Sequence, residues 1–163
     1  MSMFEEASLR SMACSESALA IGIAAEHLVC ADLIIKGYKA FSSDQTSPYN
    51  IVVDMGDRLL RIQVKATCFP KNLNANGRSS RIGYGFHVRR RGKFQDKRLD
   101  ETHCDLVAFV AMDICKIGYL PVGECGQTFQ VMGPGFEFKG KVKRSRIVSI
   151  DKMPFSEAVA RLP

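Results

Sequence analysis

Tyr49-Asn50-Ile51-Val52-Val53-Asp54-Met55-Gly56-Asp57-Arg58-Leu59-Leu60-Arg61-Ile62-Gln63-Val64-Lys65-Ala66-Thr67 is the stretch on which the fold turns. From Arg58 to Thr67 the pattern repeats every second residue. Leu60, Ile62, Val64 and Ala66 share one face, and Arg61, Gln63, Lys65 and Thr67 share the other. That alternation predicts a strand with one core face and one polar face. Pro48 and Gly56-Asp57 bracket a second strand over 49–55, and Gly56-Asp57 reads as a tight hairpin turn. A two-residue turn pairs Met55 with Arg58, and counting back along both strands sets Asn50 opposite Gln63 on one face. Asp54 then pairs with Leu59 near the hairpin tip. It lies about four residues from the level of Gln63, roughly 13 Å at about 3.3 Å per residue.

Upstream of the hairpin, 15–36 reads as a helix. Ser15 is the expected cap, Glu16 suits the positive first turn, and Gly37 is the stop. Ile21, Ala24, Ala25, Leu28 and Ile35 follow helical spacing, and Val29, Leu33 and Ile34 widen the stripe. A short strand over 38–42 links this helix to the hairpin. Downstream, 68–80 reads as a loop, 82–88 as a strand, and the Arg/Lys-rich 89–103 as a loop or weak helix. A buried strand over 106–112 pairs with a hairpin partner over 116–122, followed by a short strand over 128–132. A basic, Gly-rich loop over 133–145 is expected to be mobile, 154–162 closes as a helix, and 1–14 is read as a loose leader. The order implies one α/β domain over 1–163, with a mixed, mainly antiparallel sheet flanked by helices.

Composition narrows the classes of function. With 46% hydrophobic and 25% charged residues, the chain lies in the ordinary globular range, which excludes wholesale disorder. No consecutive run of about 18 apolar residues is present, so no membrane span is expected. The acidic start, Phe4-Glu5-Glu6, argues against a secretory signal and for a cytoplasmic location. The six cysteines form no CxxC pair and the three histidines supply no zinc spacing, so all six are expected to be reduced thiols, mostly buried.

The net charge of +6 is less informative than where it sits. Between Arg78 and Arg98 stand eight basic residues against the single acid Asp96, and Lys139 to Arg146 forms a second basic cluster. Arg89, Arg90, Arg91 and Lys93, beside Phe94, could track a phosphate backbone. A solvated loop is the plainer alternative. Three polar features stand out among apolar neighbours: Glu26 in the middle of an apolar helix, and Gln63 and Lys65 together on the polar face of their strand. A carboxylate placed like Glu26 must be paired, solvated in a cleft or bound to metal.

The helix bearing Glu26, then Gly37-Tyr38, then Tyr49-Asn50-Ile51-Val52-Val53, then Arg61-Ile62-Gln63-Val64-Lys65, resembles the PD-(D/E)xK nuclease superfamily. The likeness is greatest to the branch of group I intron-associated homing endonucleases, which is related to Holliday-junction resolvases. Asp105-Leu106-Val107-Ala108-Phe109-Val110 and Tyr119-Leu120-Pro121-Val122 extend it to about two-thirds of the chain. The resemblance implies a restriction-endonuclease-like core and Mg²⁺- or Mn²⁺-dependent hydrolysis of double-stranded DNA by a homodimer or homotetramer. It implies catalytic roles for Glu26, Asn50, Gln63 and Lys65, and metal ligation by Asn50, Gln63 and the Val64 carbonyl. A structure-selective resolvase, or a non-catalytic DNA-binding module on the same scaffold, is the alternative.

Asn50 departs from the pattern, since the family carries aspartate there. An amide keeps a coordinating oxygen but loses the charge, and with Gln63 neutral too a divalent cation should bind poorly. Three explanations stay open: an introduced substitution, natural loss of cleavage, or compensation by Asp44 or Asp54.

Overall fold

The computed structural model describes residues 17–44, 46–73, 82–90, 97–135 and 148–163. The long helix α1 spans Ala18–Ile35. Its cap is Ser17, whose Oγ accepts from the Ala20 N–H at 3.3 Å, two residues later than the expected Ser15, which lies outside the described residues. Gly37, at φ +90°, ends the helix as anticipated.

The central sheet has five strands in the order β1 (Lys39–Ser42), β2 (Ile51–Asp54), β3 (Leu59–Thr67), β8 (Leu106–Ala111) and β9 (Lys116–Pro121). The β2–β3 register is the expected one, with Ile51 opposite Ile62 and Asp54 opposite Leu59. Gly56, at φ +93°, takes the turn, and the Met55 N–H closes it on the Arg58 carbonyl at 2.9 Å. All neighbours in this sheet run antiparallel except β3 and β8, which are parallel. A parallel pair needs a crossover connection, and residues 68–105 supply it.

A second sheet, which the sequence reading lacks, lies partly on that crossover. Its order is β11 (Val148–Ser149), β10 (Thr128–Met132), β5 (Ile82–His87) and β4 (Lys71–Asn72). β4 falls in the stretch read as a loop. The central sheet therefore has a different cover on each face. On one, Ala25, Val29 and Leu33 of α1 and Phe155 and Ala158 of the closing helix α2 (Phe155–Ala160) pack on Ile51, Val53, Leu60, Ile62 and Val64. On the other, Val107, Phe109 and Ala111 meet Tyr84, Phe86, Phe129 and Val131 of the second sheet. β8 is buried on both sides at all six positions, which accounts for its unbroken apolar run. Arg61 ties β8 to β3. Its Nη2 and Nε donate to Asp105 at 2.8 and 3.1 Å, and its backbone N–H does so at 2.7 Å.

Two further expectations are corrected. The stretch 89–103 is neither loop nor helix throughout. β6 (Arg89–Arg90) pairs antiparallel with β7 (Lys97–Arg98) in a two-stranded ribbon. Cys68 is disulfide-bonded, so the six cysteines are not all thiols; local spacing rules detect zinc motifs, not pairings made by the folded chain. α1 has 18 residues and a mean hydropathy of 1.9, long and apolar enough by composition to cross a membrane, a test that core helices also pass. An average tolerates Glu26, His27 and Asp32, which a count of consecutive apolar residues does not. Here Ala25, Val29 and Leu33 are fully buried against the sheet. The basic loop over 133–145 lies outside the described residues from 136 onward.

Candidate active site

Three of the four residues singled out meet at the junction of β2 and β3. On an antiparallel ladder, bonded pairs recur every second residue. Met55 with Arg58 is one such pair, so the next are 53 with 60, 51 with 62, and 49 with 64. At the last step the ladder changes partner. The Val64 N–H, due to reach the Tyr49 carbonyl, donates instead to Asn50 Oδ1 at 2.8 Å. The Asn50 N–H bonds the Ile62 carbonyl at 2.9 Å. Asn50 thus ends β2 and takes over a hydrogen bond of β3.

The same amide reaches both neighbours. Gln63 Nε2 donates to Asn50 Oδ1 at 2.6 Å, and Asn50 Nδ2 donates to Glu26 Oε1 at 2.6 Å. The result is a chain from β3 through β2 to α1: Gln63 to Asn50 to Glu26. Glu26 is half-buried rather than stranded on an exposed stripe. Burial pushes its carboxyl above the ordinary value, and neighbouring His27 opposes that shift. Glu26 and Asn50 line a cleft of about 200 Å³ with Ala18, Leu19, Gly22, Ile23, Ser43 and Asp44.

The two aspartates kept as alternatives separate clearly. Asp44 lines the cleft, but its Oδ1 accepts from both the backbone N–H and the hydroxyl of Thr46. Those bonds hold its carboxyl below the usual value. Asp54 is at the hairpin tip, where it accepts from the Gly56 N–H at 2.8 Å, and it does not line the cleft.

Lys65 is on the same strand face as Gln63, yet its Nζ donates to the Arg89 carbonyl at 2.9 Å. It meets the base of the basic ribbon and is not part of the cleft lining. Of the expected DNA-binding residues, Arg89 and Arg90 form β6, while Arg91 and Lys93 lie outside the described residues. Lys97 and Arg98, not counted among them, form the partner strand. The only signal for this was a pair of basic doublets flanked by Val88 and Leu99, which short-range rules do not separate from a loop.

The donor set can be tested against a divalent cation. Asn50 Oδ1 already accepts two hydrogen bonds, and the Val64 carbonyl accepts one from Gln63 Nε2 at 3.2 Å. Glu26 supplies the one carboxylate of the network. Among the described residues no group of three or more His, Cys, Asp or Glu could hold a metal ion. Mg²⁺ demands near-octahedral hard oxygen ligands, and these residues as arranged do not fit it. The arrangement can instead align backbone and side chains through neutral amides bonded to one partly buried carboxylate.

No protein-family model and no curated protein sequence matches the chain. Its fold is similar to the solved structure of a bacterial homing endonuclease, I-Ssp6803I. The two share 14% identity with a TM-score of 0.56, over 80% of this chain and 86% of that one. The α/β architecture described above is therefore that of a homing-endonuclease-like scaffold.

Proposed function

We propose that this chain acts on double-stranded DNA as a PD-(D/E)xK-type endonuclease whose phosphodiester hydrolysis is attenuated by Asn50. One observation carries the reading. On a scaffold shared with a homing endonuclease, Asn50 stands between Glu26 and Gln63 where β2 leaves β3. Mg²⁺ or Mn²⁺ is the proposed cofactor of that scaffold, and it requires a carboxylate at position 50. In the chain as it stands, Glu26, Asn50 and Gln63 hold the junction, while the ribbon at Arg89 and Arg98 grips the substrate. A homodimer or homotetramer in the cytoplasm completes the proposal, since cutting both strands needs two centres related by symmetry.

The test is Mg²⁺-dependent nicking of plasmid DNA by three proteins: the chain as it stands, Asn50→Asp, and Asn50→Asp with Lys65→Ala. Asn50→Asp adds one negative charge at the metal position. After desolvation this is expected to raise metal affinity about ten- to hundredfold, at about 1.4 kcal/mol per tenfold. It should be the most active of the three, and the double variant inactive. Equal rates for the chain as it stands and Asn50→Asp would overturn the reading.

A second reading has its own support. The saturation of Asn50 Oδ1 by two donors favours a DNA-binding module that does not cut. No cleavage by any of the three proteins, with duplex binding intact, would select it. A strong preference for four-way junctions over linear duplex would select the resolvase alternative.

A further inference from the structure

We infer that the cleft beside Glu26 takes an unpaired nucleobase carrying an exocyclic amino group, and that Gly22 is the residue that leaves room for its ring. The inference rests on the DNA-acting reading above and names the ligand of that same cleft, whether or not the chain cuts.

Gly22 is where the fold departs from its own interest. It is the fifth residue of the 18-residue helix α1, and glycine is the poorest helix former after proline. Glycine is retained for a left-handed backbone, for close packing, or for close approach of a ligand. The first reason fails, since the described glycines with positive φ are Gly37, Gly56 and Gly135. The second fails too. Beyond its own stretch of helix, a Cβ at Gly22 would meet no atom of the described residues within 4 Å. A Cβ at Gly83, by contrast, would come within 2.8 Å of Leu73 Cδ1 and of the Val131 carbonyl oxygen. The third reason stands, because Gly22 lines the cleft one helical turn before Glu26.

The chemistry of the lining narrows the ligand. Leu19 and Ile23, 70% and 37% exposed, give the cleft an apolar surface on either side of Gly22. Glu26 gives Oε1 to Asn50 and Asp44 gives Oδ1 to Thr46, so each carboxyl keeps a second oxygen for another donor. Two carboxyl groups disfavour a bare phosphate, and the residues of the cleft do not fit a divalent cation. An apolar surface with acceptors at its edge suits a flat ring that carries N–H donors. Adenine, cytosine and guanine each present an amino group, whereas thymine presents a carbonyl oxygen in its place. A base inside the duplex is stacked and paired, so only an extruded or unpaired base can enter a cleft of about 200 Å³.

The experiment uses the full chain in EDTA, so that cleavage does not intervene. Fluorescence anisotropy follows binding to one duplex bearing a single unpaired position, filled in turn by cytosine, adenine, guanine, thymine or an abasic sugar. The three amino-bearing bases are expected to bind about tenfold more tightly than the abasic site, the size of one good base contact. Thymine should fall within about threefold of the abasic site. Gly22→Leu fills the space and should cut the tenfold preference to less than about twofold. As a better helix former at an open position, leucine should also raise the melting temperature by about 2 °C. Equal binding of cytosine and the abasic site, or a preference that survives Gly22→Leu, would overturn the inference and leave the DNA-acting reading standing. A lowered melting temperature would also overturn it, by showing that packing requires the glycine. Absence of binding to every duplex would overturn both.

Discussion

The cleft at Asn50 and the ribbon at Arg89 are both reached from β3, through Gln63 and Lys65, and they handle polar groups in different ways. In the cleft the Asn50 amide is matched by neighbours at both its oxygen and its nitrogen. Asn50 takes the Val64 N–H and one Gln63 N–H, and gives its own N–H to Glu26. In the ribbon the fold sets arginine against arginine, and arginine against lysine. The contrast is between a cleft whose central amide is held by its own hydrogen bonds and a ribbon whose paired positions are all basic residues.

The largest expected effect tests the ribbon. Charge reversal at Arg89 and Arg98, to glutamate, should weaken binding to any duplex by about a hundredfold or more near 0.1 M salt. Each lost phosphate contact should also make the slope of log affinity against log salt shallower by about 0.9. Titration across a salt series measures both. An unchanged slope would show the ribbon to be a solvated surface and dissolve the contrast with the cleft.

The next effect tests the brace. Asn50→Ala removes the acceptor for the Val64 N–H and Gln63 and the donor to Glu26. Unsatisfied groups of this kind cost about 1–3 kcal/mol each when buried. Because the cleft is partly open to water, a total loss of about 2–3 kcal/mol is expected in urea unfolding. A loss below about 0.5 kcal/mol would mean that the three hydrogen bonds do not brace the junction.

The smallest effect sharpens the electrostatics of the cleft. Burial raises the Glu26 carboxyl above its ordinary value of 4.5. The folded protein therefore binds this proton more tightly than the unfolded chain does. Its contribution to stability is full below about pH 4.5 and is lost as pH rises through the raised value. Glu26→Gln should flatten that part of the stability–pH curve, which thermal melts between pH 4 and 8 would follow. Superimposable curves for the two proteins would place Glu26 in water rather than in the cleft.

How far the sequence could be read depended on how local the determining interactions were. The β2–β3 register followed from Gly56-Asp57 and the alternation over 58–67, and it placed Asn50 against Gln63. β8 and β9 were legible for the same reason, being joined by a short connection. The second sheet was not, because β5 pairs with β10 across more than forty residues and no local pattern encodes that partner. Lys65 illustrates the limit within the site. Its strand face was correct, but its ammonium goes to the Arg89 carbonyl, a destination set by where β5 ends. The ribbon was hidden by its own composition, since like charges across a pair argue against a hairpin when only propensity is considered.

The parallel contact between β3 and β8 has an evolutionary consequence. Side-by-side parallel strands oblige the chain to travel over the sheet and return, and here that journey holds β4, β5 and the ribbon. The entropy of closing such a loop grows slowly, by about 0.6 kcal/mol for each doubling of its length. Insertions, deletions and exchanges of charge at exposed positions of the crossover, away from the buried Tyr84, Phe86, Val88 and Leu99, therefore tax the fold lightly, while Arg61 and Asp105 keep the two strands together at its base. A lineage built this way can vary exposed parts of the crossover, such as β4, without redesigning the sheet.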